Sequence, residues 1–476
     1  MSRTRLVTLA MIALPLAALP AQQATATPPA TINVPFEKYT LPNGLTVVLS
    51  ENHATPLVAV EVIYHVGSKN EVVGRTGFAH MFEHVMFTGS GHVPYGYHDK
   101  YTEGVGGFNN GQTSNDWTRY YEAVPTNYLE TALWLESDRM GFLLDSLDEA
   151  KFRAQRDIVK NERRQGTDNE PYARDYEVLS LNTYPKGHPY SWSTIGSMAD
   201  LTAASVEDVK RFFRLYYAPN NATLVLVGDF DTAKTKAWIT KYFGDIPRGQ
   251  TIVRPKIGAH ALTGEKRLTF EDNVQVPRLT IQWPSVGAGS PDQPALDVLS
   301  DVLGNTRVAR MNKALIYDQP LASSVNVFQN PSEDVGQFQV IVTPREGKSL
   351  TEIETQVDSL IARIKRDGPT EDELKRVKAG QQRSFFENLE TNFGKALQLG
   401  NDQTFFNDPG YSWKVVYPKT QAVTAADVKR VANQYLGKAR IVLSNVPVGK
   451  RNLASHADKS TVVTDPFTEK ASEVRP

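Results

Sequence analysis

The sequence predicts an α/β chain, with mixed helices and strands, that is built as two related domains. Its 476 residues, 40% of them hydrophobic, are enough for two or more domains with separate cores. A helix-then-strand pattern at Leu201–Gly228, which contains Asp208-Val-Lys-Arg, returns at Val423–Ser444 with Asp427-Val-Lys-Arg. The period of roughly two hundred residues is the size of one domain, which indicates an internal duplication.

The composition excludes several classes of function. The formal net charge is -1, so no long-range field points to nucleic acid or to an anionic membrane as a partner. The chain has no cysteine, which removes disulfides, thiolate metal sites, thiol catalysis and a bacterial lipid anchor. Any metal ligands must therefore be His, Asp or Glu.

Residues 1–26 resemble a secretory signal peptide. Basic residues precede the apolar run Leu6–Leu19, and Ala24-Thr25-Ala26 offers a cleavage site, with Ala21 as a second candidate. The run is shorter than the ~20 residues of a membrane span and is interrupted by Pro15. We expect export to the periplasm, or secretion, followed by removal of the signal; an N-terminal anchor is the alternative. No later apolar run is long enough for membrane insertion of the mature form.

Composition and the duplication together suggest domain boundaries. We expect an N-terminal domain at 33–250 and a homologous C-terminal domain at 263–448. They are joined through a polar stretch that contains Gly and Pro. Residues 449–476 read as a loose polar tail.

The first domain opens with strands. Phe36–Thr40 and Gly44–Ser50 read as a strand pair joined by a tight turn, and Val58–His65 as a third strand rich in β-branched residues. The Thr, Trp and Tyr content from Thr113 onward predicts a further strand, whose polar flanks favour a sheet edge. Tyr128–Leu144 has the pattern of a helix.

The most informative stretch is 74–91, which contains His80-x-x-Glu83-His84. As a helix it would place His80, Glu83 and His84 beside an apolar stripe. Thr76 is the expected cap at its start, and Gly89-Ser90-Gly91 the expected stop. The stripe consists of Phe78, Met81, Phe82, Val85 and Met86. We predict that this stripe is core and that the polar one holds the chemistry.

A second helix, Lys151–Arg164, places Gln155 and Glu162 on the same face as Phe152 and Val159. A carboxylate on a buried face needs a cation, because an unpaired buried charge is costly. Glu162 is therefore a candidate ligand for the metal of the first helix.

Histidines at i and i+4 can bind one metal ion, and metal-dependent amide hydrolysis needs three ligands and a neighbouring base. We predict His80, His84 and Glu162 as ligands and Glu83 as general base, the order of the inverted zinc motif. Zinc suits this set, although manganese or cobalt could use the same ligands. The plainer alternative is a pair of satisfied core histidines, with Glu83 in an ordinary ion pair.

Three other histidines, His92, His98 and His188, lie in stretches rich in Gly, Pro and Tyr. We expect them in loops, exposed to solvent, and not among the ligands.

With these residues the chain resembles the pitrilysin/insulinase family of metallopeptidases, and most closely the short-chain branch that includes mitochondrial processing peptidase and related bacterial peptidases. The resemblance rests on His80-x-x-Glu83-His84, on Glu162, on Gly106-Gly107-Phe108-Asn109 and on the duplicated halves. It implies one Zn²⁺ per chain. It also implies two similar domains, each a mixed, mostly antiparallel sheet covered by helices, that form a clam-shell half around an unfolded peptide.

The resemblance further implies that the substrate peptide adds as a strand to an exposed sheet edge, here within Asn109–Thr118. Asn109, Asn110 and Thr113 are the candidate substrate-binding residues. One departure from the family concerns the metal centre: Gln155 stands where a second glutamate is common, two turns before the distal ligand. An amide can still orient a neighbour by hydrogen bonding, but it has no charge.

The second departure lies in the C-terminal half. Peptidases of this family usually have an arginine there and, seven residues later, a tyrosine, which hold the substrate backbone and the developing oxyanion. Ile316 and Ser323 align with these two positions. Because such donors typically contribute about 3 kcal/mol each, we expect the zinc-bearing subunit of a hetero-oligomer whose homologous partner supplies the Arg/Tyr pair. The alternative is a peptide-binding or assembly subunit that has kept a metal site without turnover.

Overall fold

The structure is a computed structural model that describes residues 33–254, 257–258 and 260–467. The predicted signal peptide, residues 1–26, lies outside this range, so export stays a prediction. Among the described residues, no helix is long and apolar enough to span a membrane.

The first half forms a six-stranded mixed sheet in the order β1-β2-β6-β3-β5-β4. β2 and β6 are parallel, and the other neighbours are antiparallel. The strands are β1 (Glu37–Thr40), β2 (Thr46–Glu51), β3 (Leu57–Tyr64), β4 (Phe108–Thr113), β5 (Thr118–Pro125) and β6 (Ala222–Gly228). The helices of this half are α1 (Phe78–Val85), α2 (Tyr97–Thr102), α3 (Leu129–Ser146), α4 (Glu149–Arg163), α5 (Asp175–Thr183), α6 (Met198–Ala203), α7 (Val206–Tyr216) and α8 (Thr232–Phe243).

The second half forms another six-stranded sheet, in the order β12-β7-β11-β8-β10-β9. β7 is parallel to both β11 and β12, and the remaining pairs are antiparallel. Its strands are β7 (Lys266–Asp272), β8 (Arg278–Val286), β9 (Ala322–Pro331), β10 (Val335–Pro344), β11 (Ile441–Pro447) and β12 (Thr461–Val463). Its helices are α9 (Gln293–Leu303), α10 (Arg310–Asn312), α11 (Leu350–Asp367), α12 (Glu371–Asn388), α13 (Asn392–Phe406), α14 (Tyr417–Ala422) and α15 (Ala425–Tyr435).

The two sheets confirm the predicted fold class and the duplication. Strands β2-β6-β3-β5-β4 correspond in order and direction to β7-β11-β8-β10-β9. The repeated sequence begins corresponding helices in the same way: Ser205 and Asp208 form a capping box at α7, and Thr424 and Asp427 form one at α15. Each sheet packs on its own apolar core, one around Phe82 and the other around Trp283.

The halves exchange one helix each. α13, from the second half, packs on β3 and β6 of the first sheet, whereas α5, from the first half, packs on β11 of the second. Val178 and Leu179 of α5 join a cluster with Phe270 and Leu443. The second face of each sheet is thus covered by a segment of the other half, which periodicity alone does not reveal.

Two expectations need correction. The strand predicted from Thr113 onward is β5, which begins at Thr118 and lies inside the sheet because it pairs with both β3 and β4. The edge of the sheet is β4, which ends at Thr113. The stretch after Pro447, expected to be loose, contains β12, which pairs in parallel with β7. A short strand of β-branched residues beside an unpaired edge is enough to order it.

Candidate metal centre

Helix α1 starts at Phe78 without the cap that was expected. Gly77 precedes it in the left-handed region, with φ 87°. The Glu71 carboxylate accepts hydrogen bonds from the Gly77 N–H at 2.9 Å and the Ala79 N–H at 2.8 Å. The prediction for Thr76 is therefore wrong; its N–H and hydroxyl both donate to Asp200. The two Glu71 oxygens satisfy two N–H groups at the start of the helix, although burial raises the pKa of this side chain.

The two stripes of α1 are arranged as predicted. His80, Glu83 and His84 are half-buried beside the apolar stripe. The buried stripe residues are Phe78, Met81, Phe82, Val85 and Met86, all within the first core. The polar side chains are therefore fixed on a helix whose other face is held by packing.

Helix α4 brings the third candidate ligand. Asp148 caps its start, and Phe152 and Val159 are buried in the first core. Glu162, in the last turn, has a side chain that is 43% exposed, so it lies at the rim of the buried face and not within it. Gln155 is half-buried on the same helix and, within the described chain, makes no hydrogen bond to the candidate ligands.

The three candidate ligands converge. Glu162 Oε2 lies 3.1 Å from His84 Nε2 and 3.8 Å from His80 Nε2. One ligand atom from each residue falls within 4.8 Å of the others, a group that could hold a metal ion. The imidazole rings, with centroids 4.8 Å apart, are nearly perpendicular at 80°.

The electrostatics suit metal binding. Burial, together with His84, lowers the pKa of His80 to about 3. Burial also lowers the pKa of His84, although Glu162 opposes the shift. Both imidazoles are therefore neutral near pH 7 and offer lone pairs. Two neutral nitrogens and a carboxylate oxygen form a donor set that fits Zn²⁺.

Glu83 lies between the ligands and strand β4. Its Oε2 accepts a hydrogen bond of 2.7 Å from Thr113 Oγ1. Burial raises its pKa, against the effect of that hydrogen bond. The Glu83 side chain packs directly against Gly111: a Cβ at position 111 would be only 2.8 Å from Glu83 Cγ. A carboxylate with a raised pKa beside a metal-binding group is suited to proton transfer.

The candidate substrate-binding residues lie on β4, at the edge of the sheet. Asn109 Nδ2 donates to Thr102 Oγ1 at 2.6 Å and to Asp99 at 3.1 Å. The Asn110 side chain accepts from the Gly111 N–H at 2.8 Å. Because this N–H bonds a side chain instead of β5, it belongs to the outer row of the edge. Peptide binding by Asn109, Asn110 and Thr113 stays a prediction.

The other histidines lie outside this group. His98 was expected in an exposed loop, but it lies in α2 and is 3% exposed. His92 Nδ1 pairs with Asp138 at 2.6 Å, and His188 stacks on Tyr184. Among the described residues, the candidate metal ligands are His80, His84 and Glu162.

The C-terminal half offers no arginine or tyrosine at the aligned clamp positions. Ile316, in the helical turn Lys313–Asp318, packs against the second core. Ser323, on β9, donates to the carbonyls of Thr343 and Pro344 at 3.2 and 3.3 Å. Both side chains serve the local structure.

Arg310 and Tyr317 do have the seven-residue spacing of the family's pair. However, Arg310 forms a bidentate ion pair with Glu373 at 2.8 and 2.7 Å and also donates to the Gly368 carbonyl. Its guanidinium is therefore occupied within its own half.

These features define a class of protein: an α/β chain of two similar halves, whose first half contains a group that could hold a metal ion with the Glu83 carboxylate nearby. Comparison with known families agrees. The family model described as "Insulinase (Peptidase family M16)" matches residues 46–189, and "Peptidase M16 inactive domain" matches 203–381. The chain belongs to the insulinase family of peptidases, family M16.

Its relatives include zinc proteases. The "Zinc protease PqqE" of Helicobacter pylori is 31% identical over 412 residues, which cover 84% of this chain and 90% of the relative. A mitochondrial-processing peptidase subunit beta from Lentinula edodes is 23% identical, with 84% and 88% covered. Among solved structures, a protease from Helicobacter pylori has a TM-score of 0.82 at 30% identity and covers 87% of this chain and 99% of its own.

Sequence reasoning missed the residues that support the site. At the start of α1, these residues are Glu71 and Gly77. The sequence did contain one indication of this arrangement: a glycine, Gly77, stands between Thr76 and the first helical residue, so Thr76 is not adjacent to the helix. Thr113 was assigned to the substrate and not to Glu83. The strand period places Thr113 on the face of Gly111, yet nothing local shows that α1 crosses this face.

Proposed function

We propose that the chain is a zinc-dependent metalloendopeptidase that hydrolyses peptides or unfolded segments. The observation that supports this best is the convergence of His80, His84 and Glu162 with Glu83 beside the open edge of β4. Relatives named as a zinc protease and as a mitochondrial-processing peptidase subunit add to it.

The residues divide the work. His80, His84 and Glu162 would hold Zn²⁺, which when bound supplies a Lewis acid for the peptide carbonyl. Glu83 takes a proton from the attacking water and passes it to the leaving amine. The outer backbone groups of β4 bind the peptide as an added strand, so that the scissile bond lies next to Glu83.

We further propose that this is the zinc-bearing subunit of a hetero-oligomer. Ile316 and Ser323 provide no donor for the substrate backbone, and Arg310 is occupied by Glu373. Two relatives are named as the beta subunit of a mitochondrial-processing peptidase, a name that implies at least one other kind of subunit in that enzyme. A homologous partner with the Arg/Tyr pair would complete the site.

A second candidate function is peptide binding or assembly without turnover. The missing clamp favours it, whereas Glu83 does not, because binding needs no base.

We also propose, from residues 1–26 alone, that the chain is exported to the periplasm or secreted.

The test combines metal analysis with a quenched-fluorescent peptide assay, with and without a homologous partner. We expect about one zinc per chain, cleavage that depends on the partner, and loss of cleavage with retention of zinc in Glu83→Gln. A chelator should abolish cleavage, and zinc should restore it. Zinc binding without cleavage under any pairing would favour the binding subunit, and absence of zinc would overturn both.

A further inference from the structure

The loop that contains Gly196 contacts both helices that carry the candidate ligands. Gly196 lies against Gly77 at the start of α1, so closely that a Cβ on Gly196 would be 2.4 Å from Gly77 Cα. The Gly196 carbonyl accepts a hydrogen bond of 2.7 Å from Arg163 Nη1, at the end of α4. This loop therefore contacts the helix of both histidines and the residue that follows Glu162.

Arg163 belongs to a buried polar cluster with Glu177 and Ser193, which we call the cage. Its side chain is 0% exposed and forms a bidentate pair with Glu177 at 2.7 and 2.9 Å. Glu177 also accepts a hydrogen bond of 2.8 Å from Ser193 Oγ, in the loop before Gly196. The guanidinium also pairs with Asp168 at 3.2 Å, so the end of α4 is fixed through several buried contacts of Arg163.

Residues 464–467, which we call the C-terminal clip, close this cage. The Asp465 side chain is 1% exposed, and its Oδ2 lies 4.0 Å from Arg163 Nη2. It lies beside Glu177, with which it can share a hydrogen bond when one of the two carboxyl groups is protonated. Asp465 Oδ1 accepts from the Phe467 N–H at 2.9 Å. The Phe467 carbonyl accepts from the Met198 N–H at 3.2 Å. The clip therefore contacts both the cage and the loop.

The protonation states fit a shared hydrogen bond. Burial and the Glu177 carboxylate raise the pKa of Asp465 to about 8. Although burial opposes it, Arg163 lowers the pKa of Glu177. At neutral pH, Asp465 is therefore the donor and Glu177 the ionised acceptor.

We propose that Asp465 is a positioning residue for the metal centre: through Glu177 and Arg163, the C-terminal clip fixes the end of α4 and so sets the affinity of His80, His84 and Glu162 for zinc. This inference rests on the proposed function, because it assumes that these residues bind the metal.

The physical reason is preorganisation. Glu162 is at the rim of the core, in the last turn of α4, and its side chain is 43% exposed. Packing alone therefore leaves its position weakly fixed, and the anchored neighbour Arg163 supplies the restraint. Partners that orient ligands typically change metal affinity by about 10- to 100-fold when they are removed.

The experiment measures the zinc dissociation constant of the full chain by competition with a chromophoric chelator, together with the melting temperature of the metal-free protein. We expect Asp465→Ala to weaken zinc binding about 10-fold. Asp465→Asn should keep wild-type affinity, because its amide can donate to Glu177 as the protonated acid does. The control Asp458→Ala removes an exposed carboxylate of the same C-terminal region and should change nothing.

Ser193→Ala provides a milder variant should Asp465→Ala fail to fold, with an expected loss of a few-fold. A lowered melting temperature with unchanged zinc affinity in both variants would overturn the proposal, because the clip would then be merely structural. Equal weakening in Asp465→Asn and Asp465→Ala would also overturn it. Absence of zinc binding by the wild type would instead overturn the proposed function.

Discussion

Thr113 Oγ1 donates a hydrogen bond of 2.7 Å to Glu83 Oε2, which ties the edge strand β4 to the proposed general base. Thr113 was predicted to contact substrate, but its hydroxyl is engaged within the chain. The bond fixes one carboxylate oxygen, and within the described residues no hydrogen bond occupies the other. The strand proposed to bind the peptide therefore also orients the base.

Thr113→Val should lower kcat by about 10-fold or more with little change in KM. A hydrogen bond to a charged group contributes about 1.5–3 kcal/mol, and here it is made by a residue that orients the base. Steady-state kinetics with a quenched peptide, in the active assembly, measure both constants.

Two controls accompany this prediction. Thr113→Ser keeps the hydroxyl and should retain most of kcat, and Gln112→Ala alters an exposed position of the same strand. A higher KM at unchanged kcat in Thr113→Val would show that the residue contacts the peptide instead.

Gly111→Ala should reduce kcat more than Thr113→Val while zinc content stays the same. A Cβ at this position would be 2.8 Å from Glu83 Cγ and 3.2 Å from Phe87 Cε2, so the base must move. Catalysis is sensitive to displacements of about 1 Å. Gly104→Ala is the matched control, since a Cβ there meets nothing within 4 Å. Equal activity of the two variants would contradict the expected crowding.

Much of this site follows from periodicity. Spacing of i, i+3 and i+4 placed His80 and His84 beside the buried stripe of α1, and the same rule placed Glu162 on the face of Phe152 and Val159. The repeated capping residues, Asp208 and Asp427, marked the two halves. These features depend on local spacing, so one sequence is enough to find them.

The rest depends on contacts between residues far apart in the chain. Glu71 caps α1 from a separate turn, and Asp465 reaches Arg163 from the other end of the chain. Likewise, α13 lies on the first sheet although it belongs to the second half. Hydrophobic patterns show that a face is buried but not which element covers it.

The β9–β10 hairpin is fixed to the first half through Glu333. Glu333 Oε2 pairs with His65 Nε2 at 2.7 Å and with Lys69. Lys69 also contacts Asp116 and Asp334, each at 3.1 Å. Burial would raise the pKa of Glu333, but His65 and Lys69 lower it to about 2.

The ion pairs of Glu333 with His65 and Lys69 predict that the stability of the fold depends on pH. The pKa of Glu333 is lower in the fold than the ~4.3 of a free glutamate. Its ionised form therefore stabilises the fold above about pH 5, and this contribution disappears as the pH falls towards 2. Urea unfolding of Glu333→Gln should show reduced stability at pH 7, with the difference from wild type shrinking between pH 5 and 2. Glu346→Gln, at an exposed position, should differ little at any pH. A difference independent of pH would contradict the ion pair.

The exchanged helix α13 supplies the last prediction, because its Gly400 lies against a buried ion pair of the first sheet. A Cβ on Gly400 would be 2.2 Å from Glu61 Oε2, and Glu61 pairs with Arg119 at 3.2 Å. Gly400→Ala must shift the helix or break the pair, so we expect a loss of about 1–3 kcal/mol in the free energy of unfolding. Gly380→Ala, in α12, is the matched control: its Cβ meets nothing within 4 Å, and alanine in a helix should stabilise by about 0.5–1 kcal/mol. Denaturant unfolding of both variants separates helix propensity from contact, and stabilisation by both would contradict the close packing of α13 on the first sheet.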